Sequence, residues 1–121
     1  MVFKKEYDMT KEIFEFLTNY GWLLYHQKKM KKLTSDLCIC GMEPQKSEHI
    51  IKCELLNEIR IKYQKQIIIK YGEGASLINM MNENNFNQIT IAFINESIKR
   101  LYEINKKSED FYSGDLAPQE N

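Results

Sequence analysis

The sequence CICG at residues 38–41, followed after seven residues by HIIKC at residues 49–53, is the stretch that decides the fold. It contains all three cysteines of the chain and one of its two histidines, in the order Cys-x-Cys-x8-His-x3-Cys. Zinc prefers four tetrahedral nitrogen and sulfur ligands, and three cysteines with one histidine are a common structural set. The spacing therefore predicts a zinc knuckle over residues 36–53, with the ligands Cys38, Cys40, His49 and Cys53.

The residues between and around the ligands suit such a site. His49 and Cys53 are four residues apart, so on a helix they would project from the same face. Gly41 can adopt the positive φ of a tight turn, and Pro44 keeps the connecting loop non-helical. An odd number of cysteines and the strain of a bridge across one residue argue against a disulfide. Three ordinary cysteines beside a surface histidine are the alternative interpretation.

A single domain is expected from a chain of 121 residues with a formal net charge of zero. The first twelve residues, MVFKKEYDMTKE, lack the apolar core of a signal peptide. No stretch approaches the roughly 18 apolar residues of a membrane span. Free thiols and a structural metal are typical of a reducing compartment. We therefore expect an intracellular protein, in the nucleus or the cytoplasm, with no membrane partner.

Apolar residues recur at helical spacing through most of the chain, and no strand-like alternation is convincing. The predicted fold class is mostly α: a small helical domain of about four to five helices around a Cys3His zinc knuckle. This domain is expected to span residues 1–106. Residues 107–121 are polar and include Gly114 and Pro118, a composition that predicts a disordered tail.

Caps and buried residues can be predicted for three of the helices. Asp8 or Thr10 can cap the first helix, whose apolar stripe would be Met9, Ile13, Phe16, Leu17 and Tyr20. A long helix is predicted to begin at Glu48, after a cap at Ser47, and to end at Tyr71. Its buried residues would lie four apart, at Leu55, Ile59, Tyr63 and Ile67. The last helix would bury Ile91, Ile94, Ile98 and Leu101.

Catalysis is not expected. A full set of four ligands leaves no open coordination position, which a catalytic zinc would need. Metal-dependent nucleases need carboxylates that converge on magnesium, whereas the acidic residues here, Glu12 and Glu15 among them, are expected on solvated helix faces. No nucleophile elbow, phosphate-binding glycine loop or Cys/His dyad is evident. The sequence therefore predicts no small-molecule substrate.

Basic residues concentrate around the knuckle. From His26 to Lys70 the chain has ten lysines and arginines against five acidic residues. Zinc knuckles can bind single-stranded nucleic acid through a basic rim and exposed aromatic residues, here Trp22 or Tyr25. The residues predicted to contact RNA or single-stranded DNA are Lys28, Lys29, Lys31, Lys32, Lys46, Lys52, Arg60 and Lys62. The alternatives are a solvated helix end for the lysines and a place in the core for the aromatic residues.

A protein-interaction module is the alternative function. Zinc would then stabilise a small helical domain whose long helix offers a second apolar face. Ile61, Ile68 and Leu56 lie off the predicted buried stripe, and if exposed they would form a ridge for dimerisation or another protein partner. The zero net charge favours this interpretation over general electrostatic binding. If the helix is central, both faces would be buried instead.

The order of these features resembles one family. The sequence TNYG at residues 18–21 precedes CICG, and Glu48 directly precedes the His-Ile-Ile-x-Cys block. Arg60 follows, and Phe93-Ile94 matches an apolar pair in a closing helix. Over roughly residues 10–105 this arrangement is similar to the C-terminal zinc-knuckle tail, after the RNase H domain, of jockey-like non-LTR retrotransposon reverse transcriptase polyproteins. The resemblance implies a non-catalytic, retrotransposon-derived zinc-binding domain.

The chain departs from the family pattern in three respects. The threonine that is common before the histidine block has no clear counterpart here, and Ser47 is the nearest residue. The family has Gly-His where this chain has Asn19-Tyr20, so any role of that histidine is lost. No polymerase Tyr-x-Asp-Asp box or set of RNase H carboxylates accompanies the knuckle. The resemblance therefore implies a stand-alone derivative of the reverse transcriptase tail.

Overall fold

Five α-helices accompany the knuckle segment in the computed structural model, which describes residues 9–107. They are α1 (Lys11–Thr18), α2 (Leu24–Lys29), α3 (Asn57–Tyr71), α4 (Leu77–Asn82) and α5 (Gln88–Lys107). Two 3-10 turns, Ser47–Ile51 and Glu54–Leu56, lie between α2 and α3. No strand forms within residues 9–107, although an isolated antiparallel bridge joins Leu37 to Pro44. The predicted mostly-α class is confirmed.

The longest helix, α5, is the centre of the core. It packs against α1 on one side and against α3 on another, and α4 contacts both α3 and α5. The predicted stripe of Ile91, Ile94, Ile98 and Leu101 is buried because its members recur every three or four residues on one face. α5 continues through Lys107, and the remainder of the predicted tail, residues 108–121, lies outside the described residues.

Polar side chains define where several helices begin and end. Thr10 caps α1, because its Oγ1 accepts a hydrogen bond from the Ile13 amide at 3.1 Å. The other predicted cap, Asp8, lies outside the described residues. Asn19 ends α1 in the left-handed conformation with φ of 62°, a position that usually holds glycine. Asn87 starts α5 by accepting from the amides of Ile89 and Thr90.

The predicted continuous helix from Glu48 to Tyr71 is wrong. The chain forms a 3-10 turn at Ser47–Ile51, becomes extended at Cys53 (φ −65°, ψ 124°) and enters α3 only at Asn57. Ser47 caps nothing, since its hydroxyl donates to the Glu15 carbonyl. The break also moves Leu56 into the core, so it does not contribute to an exposed ridge. The four ligands account for this break, because they must converge on the loop that carries Cys38.

The expectation that Glu12 and Glu15 face solvent is also wrong. Both are buried, because α1 turns the face that carries Glu12, Ile13 and Glu15 inward, whereas Leu17 at its far end is exposed. Met9 and Tyr20 of the predicted apolar stripe are likewise exposed. Local periodicity predicts from hydropathy alone which residues are buried. Glu15 is buried in spite of its charge, because it forms hydrogen bonds with residues outside α1.

The Glu15 carboxylate holds α1, α2 and α5 together. It accepts hydrogen bonds from the amides of Trp22 (3.0 Å) and Leu23 (2.9 Å) and from the Tyr102 hydroxyl. These amides precede α2, whose own N-cap side chain makes no capping hydrogen bond. A Cβ atom at Gly21 would collide with this carboxylate, which explains the glycine there. Burial raises the pKa of Glu15 above its usual value, although the hydrogen bonds oppose the rise.

Within residues 9–107, no helix combines enough length with enough apolar character to span a bilayer.

Glu15→Ala should destabilise the protein by about 3 kcal/mol, since it removes the carboxylate that accepts from the buried Leu23 amide and Tyr102 hydroxyl. The matched control is Glu58→Ala on an exposed position of α3, where a change within about 0.5 kcal/mol is expected. Urea unfolding of both variants measures the difference. Equal stabilities would contradict the role given to the Glu15 carboxylate.

Candidate metal centre

The loop of residues 36–45 folds back on itself before the first 3-10 turn. The Gln45 amide donates to the Asp36 carbonyl at 2.7 Å, and the Cys38 amide donates to the Glu43 carbonyl at 2.9 Å. At its tip the Gly41 amide donates to the Cys38 carbonyl at 2.8 Å. Gly41 has φ of 86°, which confirms the predicted need for glycine at this turn.

The four predicted ligands converge at this loop. The Sγ atoms of Cys38, Cys40 and Cys53 and a ring nitrogen of His49 all lie within 4.8 Å of one another. Cys38, His49 and Cys53 are buried, and Cys40 is partly exposed at the rim. The cluster is a Cys3His set that could hold a metal ion.

The spacing between the ligand atoms fits tetrahedral coordination. The sulfurs of Cys38 and Cys53 are 3.7 Å apart, and the Cys40 sulfur is 3.2 Å from His49 Nε2. A tetrahedral ion with metal–sulfur bonds of about 2.3 Å places its sulfurs about 3.8 Å apart. A disulfide would need about 2.05 Å between sulfurs. The observed separation therefore fits a shared ion, and all three cysteines are free thiols.

Glu43 orients the histidine ligand. Its carboxylate lies 3.0 Å from His49 Nδ1 and 3.3 Å from Lys52 Nζ. Hydrogen bonds from His49 and Lys52 hold the pKa of Glu43 below its usual value. A carboxylate at Nδ1 favours the tautomer whose Nε2 lone pair is free for a metal, and Nε2 is the atom that faces Cys40. Glu43 therefore acts as the outer-shell partner of His49.

Gln45 connects the cluster to the helices. Its fully buried side chain donates from Nε2 to Cys38 Sγ (3.4 Å) and to Asn105 Oδ1 (3.0 Å). Its Oε1 accepts from Asn105 Nδ2 at 2.6 Å and from the Leu24 amide at 3.1 Å. One side chain thus joins the ligand loop to α2 and α5.

Hydrogen bonding and burial shift the pKa values of the three thiols in different directions. A hydrogen bond from the Cys53 thiol lowers the pKa of Cys38 to about 5, and the same hydrogen bond together with burial raises the pKa of Cys53. Burial raises the pKa of Cys40. A metal ion that binds all three sulfurs must displace the protons of Cys40 and Cys53, and its positive charge then replaces them.

The lysines predicted to bind nucleic acid fall into two groups. Exposed positions on α2 and the turn that follows it hold Lys28, Lys29, Lys31 and Lys32. These four have no ion-pair partner among residues 9–107.

The second group of predicted contacts is engaged with other parts of the molecule. Lys46 lies 3.4 Å from Glu48, Lys52 pairs with Glu43, and Lys62 lies 2.7 Å from Glu96. The guanidinium of Arg60 donates to the backbone carbonyls of Ile50 and Cys53. Arg60 and Lys62 therefore make contacts within the protein, unlike the four lysines of α2 and its turn.

Sequence reasoning missed the outer-shell residues Glu43 and Gln45. Glu43 lies between the two ligand pairs, and a carboxylate in that loop is a signal for a histidine partner. Gln45 gave no such signal, because its partners Leu24 and Asn105 lie 21 and 60 residues away along the chain.

No protein-family model matches the chain, and no curated protein or solved structure is significantly similar to it.

The affinity of the centre for a metal ion should fall steeply in acid, by about a hundredfold per pH unit between pH 8 and pH 6. The raised pKa values of Cys40 and Cys53 keep both thiols protonated in this range, so a metal ion must displace two protons to bind. Each displaced proton lowers the affinity by about tenfold for every pH unit of acidification. Competition between the protein and a chelator of known pH dependence measures the slope. An affinity that does not change with pH would contradict binding through these thiols.

Proposed function

We propose that this chain is a zinc-stapled helical domain that binds RNA or single-stranded DNA without catalysing a reaction. The observation that carries the proposal is a Cys3His cluster joined directly to a helix whose exposed lysines form no ion pair with any residue of the segment 9–107.

The ligand set favours zinc. A tetrahedral cluster of thiolates and an imidazole favours zinc over magnesium and calcium, which prefer oxygen ligands. Four protein ligands complete the coordination shell, so the ion would have a structural role. A reduced thiol set also suits an intracellular location, in the nucleus or the cytoplasm.

Exposed lysines, two of which lie beside an aromatic ring, support nucleic-acid binding. We call Lys28, Lys29, Lys31, Lys32, Lys46 and Tyr25 the lysine surface. The ammonium groups of Lys29 and Lys46 lie 5.5 Å and 5.3 Å from the centre of the Tyr25 ring. Ammonium groups attract phosphates, and an aromatic ring among them can stack on an unpaired base.

A pair of aromatic rings, Tyr20 and His26, lies near the start of the same helix. The rings of Tyr20 and His26 are 5.0 Å apart at 40°, and more than half of the Tyr20 side chain is exposed. The helix itself has only six residues, Leu24–Lys29, which is short for reading a duplex groove. Aromatic rings beside lysines suit unpaired bases better, so single strands are the favoured ligand.

The metal centre anchors the lysine surface. The Gln45 carbonyl accepts a hydrogen bond from the Tyr25 amide at 3.0 Å, while its side chain contacts Cys38 and the Leu24 amide. A shift of the ligand loop would therefore move the first turn of α2. The proposal implies that nucleic-acid binding depends on bound zinc.

The resemblance to the C-terminal tail of jockey-like reverse transcriptases is part of the proposal. Besides the order of the ligands, two positions agree with the family pattern. Asn19, where the family has glycine, takes the left-handed conformation that glycine favours. Phe93 and Ile94, the pair of the closing helix, are fully buried in α5. We propose that the domain derives from such a tail.

Self-association is the second candidate function, favoured by exposed isoleucines. Ile61, Ile68 and Ile69 on α3 and Ile78 on α4 are all exposed, and a groove of about 270 Å³ lies between Ile61 and Ile78. A second copy of the chain could cover this ridge. Light scattering coupled to size-exclusion chromatography tests it, and a monomer at high concentration would exclude dimerisation.

Replacement of Lys28, Lys29, Lys31 and Lys32 by alanine should weaken binding of the zinc-loaded protein to single-stranded RNA. Each lost phosphate contact should also reduce the slope of log affinity against log salt by about 0.7. Fluorescence anisotropy at several salt concentrations, with single-stranded RNA and duplex DNA in parallel, measures both effects.

The control removes four charges elsewhere, at Lys65, Lys70, Lys99 and Arg100, and should leave the affinity nearly unchanged. Equal losses in both variants would indicate general electrostatic attraction in place of a defined surface. No binding of the unaltered protein at low salt would refute the nucleic-acid function.

A further inference from the structure

Arg60 points its guanidinium into the knuckle. One terminal nitrogen donates to the carbonyl of Ile50 at 3.0 Å and the other to the carbonyl of Cys53 at 2.6 Å. Ile50 follows the ligand His49 directly, and Cys53 is itself a ligand. Arg60 therefore holds both ends of the turn that presents two of the four ligands.

The two hydrogen bonds of Arg60 lie at the point where the backbone changes conformation. The 3-10 turn ends at Ile51, and Cys53 is extended before the next turn begins. The Cys53 amide donates to the His49 carbonyl at 2.9 Å. Arg60 adds two hydrogen bonds from α3 to this backbone link between the two ligands. The planar fork of an arginine can satisfy two carbonyls at once, which a lysine ammonium cannot do with the same fixed geometry.

Charge adds to this geometry. Three thiolates around a divalent ion leave the proposed centre with a net charge of about −1. Arg60 is partly buried beside it, and its guanidinium donates two hydrogen bonds to the turn that carries two of the ligands. A fixed positive charge at this place favours the anionic, metal-loaded form over the protonated one.

We propose that Arg60 is a positioning residue of the metal centre and does not contact phosphate. The inference rests on the proposed zinc site but is independent of nucleic-acid binding. Phosphate contact would require Arg60 to abandon the two carbonyls, which would release the turn that carries His49 and Cys53.

Arg60→Ala should lower the affinity for zinc by about 10- to 100-fold, the range typical of outer-shell partners. Chelator competition measures the affinity. At saturating cobalt, the thiolate-to-cobalt absorption of the variant should equal that of the unaltered protein, because all four ligands remain. Arg60→Lys keeps the charge without the fork and should lose less affinity than the alanine variant. Lys65→Ala, an exposed change on the same helix, should lose none.

A second measurement separates positioning from phosphate contact. With saturating zinc, Arg60→Ala should keep the salt dependence of RNA binding, whereas loss of a phosphate contact would reduce the slope by about 0.7. Such a reduction, or a zinc affinity equal to that of the unaltered protein, would overturn the proposal. If the alanine variant does not fold, Arg60→Lys replaces it, and unchanged zinc affinity there would equally overturn the proposal. Failure of the unaltered protein to bind zinc or cobalt would instead refute the proposed metal site.

Discussion

Convergence of three sulfurs and one imidazole within 4.8 Å is the constraint on which the other contacts around the knuckle depend. It requires the loop of residues 36–45 and the turn of residues 47–53 to meet, although neither belongs to an α-helix or a β-sheet. Zinc binding to such a set contributes about 10–16 kcal/mol, which is as large as the whole stability of a typical domain, about 5–15 kcal/mol. On this account, metal binding and folding of the knuckle are one process.

Two buried polar side chains join the helices to one another, and one of them, Gln45, also joins them to the ligand loop. Gln45 joins Cys38 to the first turn of α2 and to Asn105 of α5. Glu15 joins α1 to the residues before α2 and to Tyr102 of α5. Buried polar groups lower stability unless they are paired, and these two are paired in several directions. The short helix α2 is therefore fixed from two sides, although its own cap is weak.

The parts of the structure that depend on local chemistry could be predicted from the sequence. Ligand spacing identified Cys38, Cys40, His49 and Cys53, because tetrahedral coordination restricts how far apart the pairs can be along the chain. Periodicity identified the buried face of α5, and the turn at Gly41 followed from its need for positive φ.

The parts that depend on distant partners could not be predicted in this way. An i, i+4 pattern suggested one helix from Glu48, but the extended conformation at Cys53 interrupts it. The hydropathy of Glu15 predicts an exposed side chain. The hydrogen-bond partners that allow its burial lie in other elements, so no local pattern reveals them. Counting charges likewise could not distinguish Arg60, which faces the knuckle, from Lys28, which faces solvent.

The measurement that tests the central claim most directly is X-ray absorption at the zinc edge on the purified, metal-loaded protein. The account predicts one ion per chain with three sulfurs at about 2.3 Å and one nitrogen at about 2.0 Å. A shell made mainly of oxygen, fewer than three sulfurs, or a folded protein that retains no zinc would contradict it.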